Sequence, residues 1–232
     1  MKPILTTLTC FLLIAMFTTP VLAQSAKALT KDAQAAITPA KALELLKDGN
    51  KRFVNGNMMK RNLMEQVAQT AGGQYPYAVV LGCIDSRVPP ELIFDQGIGD
   101  MFTPRIAGNF VNTDILGSME FATKVAGSKI IVVLGHSSCG AVKGACDHVE
   151  LGNLTPMLAN LMPAVYGVQE VIGERNSANS KFVSDVAHKN VHMTVQNILD
   201  RSPVMKELVD SGELMVVGAM HDVKTGKVTF MD

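Results

Sequence analysis

The chain has no tryptophan and only three tyrosines, and aromatic residues make up 5% of its 232 positions. It also has no charge excess, with 21 basic and 21 acidic residues, and no run of lysine or arginine. A nucleic-acid partner or attraction to an anionic membrane surface is therefore not expected. Zero net charge weakens colloidal repulsion and leaves self-association open. Long apolar runs are missing as well. The longest, Ile4–Phe17, is broken by threonines and soon followed by Pro20. It falls short of the about 20 clean apolar residues that a spanning helix needs. With Lys2 ahead of it and a small-residue site ending at Ala23, residues 1–23 read as a cleaved secretory signal. The expected location is periplasmic or secreted, with no stable membrane insertion after cleavage.

Cysteine is scarce, and its number is informative. Of four cysteines, Cys10 lies in the leader, which leaves Cys83, Cys139 and Cys146. An odd count in an exported chain is not a disulfide framework. What the chain does have is apolar content, 47% of residues, enough for a sizeable core and against disorder.

Residues 24–37 read as a flexible lead-in, and 38–232 as a single domain with no repeat or linker. Thr38 and Pro39 predict the start of a helix over 38–57, and a second short one is expected over 60–73. The apolar runs at 77–85 and 128–140 predict buried parallel strands, with a short strand at 100–108. Helices are expected over 114–127, 141–151, 153–173 and 181–200, and two strands joined by a "KTG" turn over 213–232. Strands alternating with helices make an α/β fold, a mainly parallel sheet flanked by helices with an N-terminal helical arm. Sites in such sheets lie beyond the carboxyl ends of strands.

Two stretches at such ends carry chemistry: "CIDSRVPPE" at 83–91 and "GHSSCG" at 135–140. If their strands are neighbours, Cys83, His136 and Cys139 converge. Two thiolates and an imidazole suit zinc, with a fourth position left for water. Asp85 would bind the metal or accept a proton from its water, and Arg87 would keep that carboxylate ionised and oriented. Taken alone, the two cysteines could equally be buried residues or a disulfide. His148, His188, His192 and His221 are expected to be surface or capping residues, and Cys146 a small buried one.

Together the two stretches, CxDxR followed by HxxCG, resemble the β-class carbonic anhydrases. The likeness runs over about residues 38–231 and includes "ALELLKDGNKRF", "DMFTPRIAGN" and "GSMEFA". It implies reversible, zinc-dependent hydration of carbon dioxide to bicarbonate, with one Zn2+ per chain on Cys83, His136 and Cys139. It also implies an Asp85–Arg87 dyad that orients the attacking water. Gln74 matches a glutamine that donates to substrate in the plant-like branch, and Gly140 a glycine whose amide faces it. Phe102, Ala107 and Phe121 match apolar pocket positions. The family also implies a homodimer or a tetramer of dimers. Val80 stands where some bacterial relatives carry the tryptophan of an inhibitory bicarbonate pocket, so no such switch is expected. Two rivals remain: a carbonyl sulfide or carbon disulfide hydrolase on the same scaffold, and a non-enzymatic exported module with a Cys83–Cys139 disulfide.

Overall fold

The computed structural model describes residues 27–231, so the leader and its cleavage site lie outside the described residues. Two helices open the fold, α1 (Lys31–Ala35) and α2 (Pro39–Val54). Thr38 caps α2 as the sequence predicts, its hydroxyl accepting from the Lys41 amide at 3.2 Å. The expectation of a flexible lead-in is corrected for its described part. Thr30 caps α1, and the buried Gln34 amide donates to the carbonyls of Pro76 and Ala126, each at 2.7 Å. A polar side chain satisfied by two buried carbonyls ties this segment to the domain.

Then follow α3 (Leu63–Thr70), β1 (Ala78–Gly82), α4 (Pro90–Ile93), β2 (Met101–Phe102) and α5 (Thr113–Glu120). A π-helical turn over Phe121–Val125 extends α5, and Gly127, at φ +82°, ends it. The second half runs β3 (Ile130–His136), α6 (Gly140–Cys146), α7 (Leu154–Ala159), α8 (Met162–Gly167), α9 (Ser180–Arg201), α10 (Pro203–Asp210), β4 (Met215–His221) and β5 (Val228–Phe230). The single helix expected over 153–173 is thus two short ones. Pro163 lacks an amide hydrogen and its ring would crowd the carbonyl of Ala159, where α7 stops. Helices α4 and α10 are additions to the sequence reading.

The strands form one sheet in the order β2-β1-β3-β4-β5. Neighbours are parallel except for β5, which returns antiparallel to β4. Every residue of β1 and β3 is buried, because helices cover both faces. Val80, Ile130, Val132 and Leu134 meet Ala42 and Leu46 of α2 and Ile93 of α4. Val79, Leu81, Ile131 and Val133 meet Met119 of α5, Val191 and Ile198 of α9 and Met205 of α10. Gly49 lets α2 lie against the loop after α4: a Cβ there would sit 1.8 Å from the Phe94 carbonyl oxygen.

The register of β1 on β3 positions the site. Gly82 pairs with Leu134, so Cys83 leaves the sheet beside the end of β3 at His136.

Candidate metal centre

Cys83 is the first residue beyond β1 and His136 the last of β3. The chain then turns through Ser137 and Ser138, whose φ is +56°, and reaches Cys139, which precedes the first residue of α6. This turn folds Cys139 back toward Cys83, with sulfurs 3.9 Å apart and no disulfide between them. The three ligand atoms all lie within 4.8 Å of one another, on side chains that are buried.

The histidine is prepared as a ligand. Its Nδ1 lies 3.0 Å from the Ser137 carbonyl oxygen, the partner of an Nδ1–H donor. That tautomer leaves the Nε2 lone pair free, and Nε2 is buried with no partner among the described residues. A buried imidazole nitrogen without a partner costs stability unless something fills the position. Two sulfurs and a nitrogen at this spacing fit a zinc ion, so the donor set passes the test that the sequence poses.

The thiols share charge unequally. The hydrogen bond from Cys139 is the largest influence holding the Cys83 thiol down, and His136 and the Gly108 and Asp85 amides add to it against burial. The same bond, with burial, pushes Cys139 up. A dication held between the two sulfurs would stabilise both as thiolates.

Asp85 and Arg87 form a fork. Arg87 Nε donates to Oδ1 at 2.9 Å and Nη2 to Oδ2 at 2.7 Å, while the Arg87 amide donates to Oδ1 at 3.0 Å. These bonds, Arg87's side chain first, hold the Asp85 carboxyl well below the usual carboxylate range. Asp85 Oδ2 lies 4.0 Å from His136 Nε2, on the ligand side.

The other expected site residues divide. Gly140 opens α6 directly after Cys139, in open space, and Ala107 precedes Gly108, whose amide donates to Cys83 Sγ at 3.4 Å. Gln74, Phe102 and Phe121 do not join the centre of their own chain. Gln74 precedes β1 and lies with Thr70 and Gly99, at the strand end opposite Cys83. Phe102 pairs with Val79, about 13 Å of strand before Cys83, and packs edge-on against Phe121 with ring centroids 6.3 Å apart. The expectation of one pocket gathering all of them is therefore not met within a single chain, because β1 is extended.

Sequence reasoning missed the groups that hold the two loops. Ser137 Oγ donates to Asp222 Oδ1 at 3.2 Å and accepts from the Val223 amide at 3.0 Å, fastening the turn to the hairpin of β4 and β5. The Ser137 amide donates to the His221 carbonyl oxygen. Burial above all holds the His221 imidazole down to about 4, and both its ring nitrogens lack a partner among the described residues. Only the "GAMHD" order in the sequence hinted at this apposition.

Comparison with known proteins gives a consistent picture. The carbonic anhydrase family model matches residues 78–228. Carbonic anhydrase 2 of Mycobacterium tuberculosis is 37% identical over 200 residues, 84% of this chain and 93% of that one. The carbonic anhydrase of Mycolicibacterium smegmatis is 37% identical over 196 residues, 82% of this chain and 92% of that one. Among solved structures, the β-carbonic anhydrase CafA of Aspergillus fumigatus aligns with TM-score 0.63 at 27% identity, over 83% of this chain and 90% of that one. One of two tetrameric β-carbonic anhydrases from Sordaria macrospora aligns with TM-score 0.61 at 26% identity, over 83% and 94%.

Proposed function

The chain belongs to the β-class carbonic anhydrases, and from that premise we propose that it catalyses the zinc-dependent, reversible hydration of carbon dioxide to bicarbonate and a proton. The observation that carries this reading is the meeting of Cys83, His136 and Cys139 beside an Asp85 carboxylate held by Arg87. Those three residues would hold one zinc ion, which when bound acidifies a water to about pH 7 and so supplies a nucleophile at neutral pH.

The chain's own groups orient the reaction. Asp85 stays ionised against Arg87 and so acts only as an acceptor. Its Oδ2, facing His136 Nε2, takes the hydrogen of a water at the centre and turns that water's lone pair toward carbon. Arg87 spends its fork on this carboxylate, which fixes the angle of Oδ2. Gly140, first in α6, has an amide with no intrahelical acceptor and offers it to a substrate oxygen.

Gln74, Phe102 and Phe121 keep their family roles in this proposal through a second copy of the chain, which would bring them to the centre. Phe121 is 53% exposed and Val125 72% exposed, an apolar surface that pairing would cover. Export belongs to the proposal on the strength of residues 1–23. Among the described residues, no helix is long and apolar enough to cross a membrane.

Zinc analysis and stopped-flow carbon dioxide hydration on the mature chain test the reading. One zinc per chain with hydration above the buffer rate supports it; a zinc-loaded chain without hydration overturns it.

A further inference from the structure

Beyond β2, the chain runs on beside the end of β1. The Gly82 amide donates to the Pro104 carbonyl and the Ile106 amide to the Gly82 carbonyl, each at 3.1 Å, around a parallel bridge between Gly82 and Arg105. Held there, the Arg105 side chain turns onto the loop that carries Cys83 and Asp85. Its Nε donates to the Cys83 carbonyl at 2.8 Å and its Nη2 to the Asp85 carbonyl at 2.6 Å. Three residues on, the Gly108 amide donates to Cys83 Sγ. None of the ion pairs among the described residues involves Arg105, so these two carbonyls are its principal partners.

We propose that Arg105 is a positioning residue for the centre, bridging the carbonyls on either side of Ile84 so that the Cys83 sulfur and the Asp85 carboxylate are held in one fixed relation. It touches neither substrate nor metal, and acts through the backbone. Chemistry requires arginine here. Two carbonyls two residues apart need two donors at a set angle on one rigid plane, which a guanidinium has and an ammonium lacks. The loop lies beyond the ladder, with Ile84 pointing out at 62% exposure. The Val88 amide on the Asp85 carbonyl and the Arg87 bonds to the Asp85 carboxylate close its far side. Among the described residues, Arg105 alone bridges the Cys83 and Asp85 carbonyls. Groups that orient ligands from behind change metal affinity or rate by about 10–100-fold when lost.

The proposal rests on the reading of the site as a zinc hydratase, so its test reads the metal separately from turnover. The variants are R105A and R105K, the latter keeping charge and length but offering a single donor centre. With cobalt(II) in place of zinc, both are expected to bind one ion per chain but with an altered ligand-field spectrum. Release to a chelator is expected to be about tenfold faster than in the parent. In the zinc form kcat is expected to fall about tenfold with KM little changed, and methylguanidinium, not methylammonium, to restore part of it in R105A. A purely structural arginine would lower the melting temperature and leave spectrum and pH profile unmoved. If R105A does not fold, R105K decides alone. Parental spectrum, release rate and kcat in R105K overturn the proposal. Absence of hydration in the parent with a spectrum that still shifts in R105K overturns the function and leaves the clamp standing.

Discussion

Arg87 meets Asp85 edge to edge, two nitrogens on two oxygens at 2.9 and 2.7 Å, with the carboxylate turned toward His136. In this arrangement both oxygens of the carboxylate are engaged by the arginine.

This pairing sets a pH expectation. The Asp85 carboxyl is held below its ordinary range, so it is ionised at every pH above about 4. Its contribution to stability is present above the unfolded carboxylate value and is lost only as pH falls through the lower folded one. Between pH 6 and 8.5 it does not titrate, so hydration should fall smoothly on acidification. Stopped-flow rates that drop abruptly near neutrality would contradict this. D85N should lower kcat about 100-fold while zinc content stays at one per chain.

The three ligands act as a unit. C83S and H136A should each abolish zinc retention through gel filtration, and with it hydration. Chelation of the parent should lower its melting temperature, since a ligand that binds only the folded state stabilises it by mass action. Zinc retained at one per chain in H136A would refute the ligand assignment.

A buried neutral histidine leaves its own trace. The His221 imidazole titrates near 4 in the fold and near 6.5 unfolded, so the unfolded chain takes up the proton first. Stability from this group is full above about 6.5 and falls as pH drops toward 4. H221F should flatten the slope of unfolding free energy in that window, measured by urea denaturation at several pH values. An unchanged slope would show that His221 is not responsible.

Ser137 ties the turn between His136 and Cys139 to Asp222 and Val223. S137A should cost about 1 kcal/mol of stability. It should also speed zinc release to a chelator, because the turn that aims two ligands loses its fastening. Release at the parental rate would make the contact irrelevant to the centre.

Gly49 offers a test of packing. Its Cβ direction is filled by the Phe94 carbonyl, which is backbone and cannot swing away. G49A should therefore destabilise by about 1–3 kcal/mol despite alanine's better helix propensity. G56A, where nothing lies within 4 Å, should show only the smaller strain of its φ of +69°.

Much of this was legible from the residues. The runs at 77–85 and 128–140 announced buried parallel strands, because only a strand covered on both faces carries uninterrupted apolar residues. Thr38 and Pro39 marked the start of α2, since capping is local chemistry. Cys83, Asp85 and Arg87 could be named from one short stretch and His136 and Cys139 from another, each at the end of an apolar strand.

What the sequence determined alone was therefore which thiols, imidazole, carboxylate and guanidinium stand at the strand ends, and where along each strand they lie. That β1 and β3 are neighbours in matching register, so that sulfurs 56 positions apart in sequence come within 3.9 Å, was decided by the sheet. So were the Arg105 and Asp222 fastenings, and the separation of Gln74, Phe102 and Phe121 from the centre of their own chain. Local signals report capping and burial, which depend on near neighbours. Strand order and the reach of a side chain to a distant carbonyl depend on which faces pack together, and only the whole fold settles that.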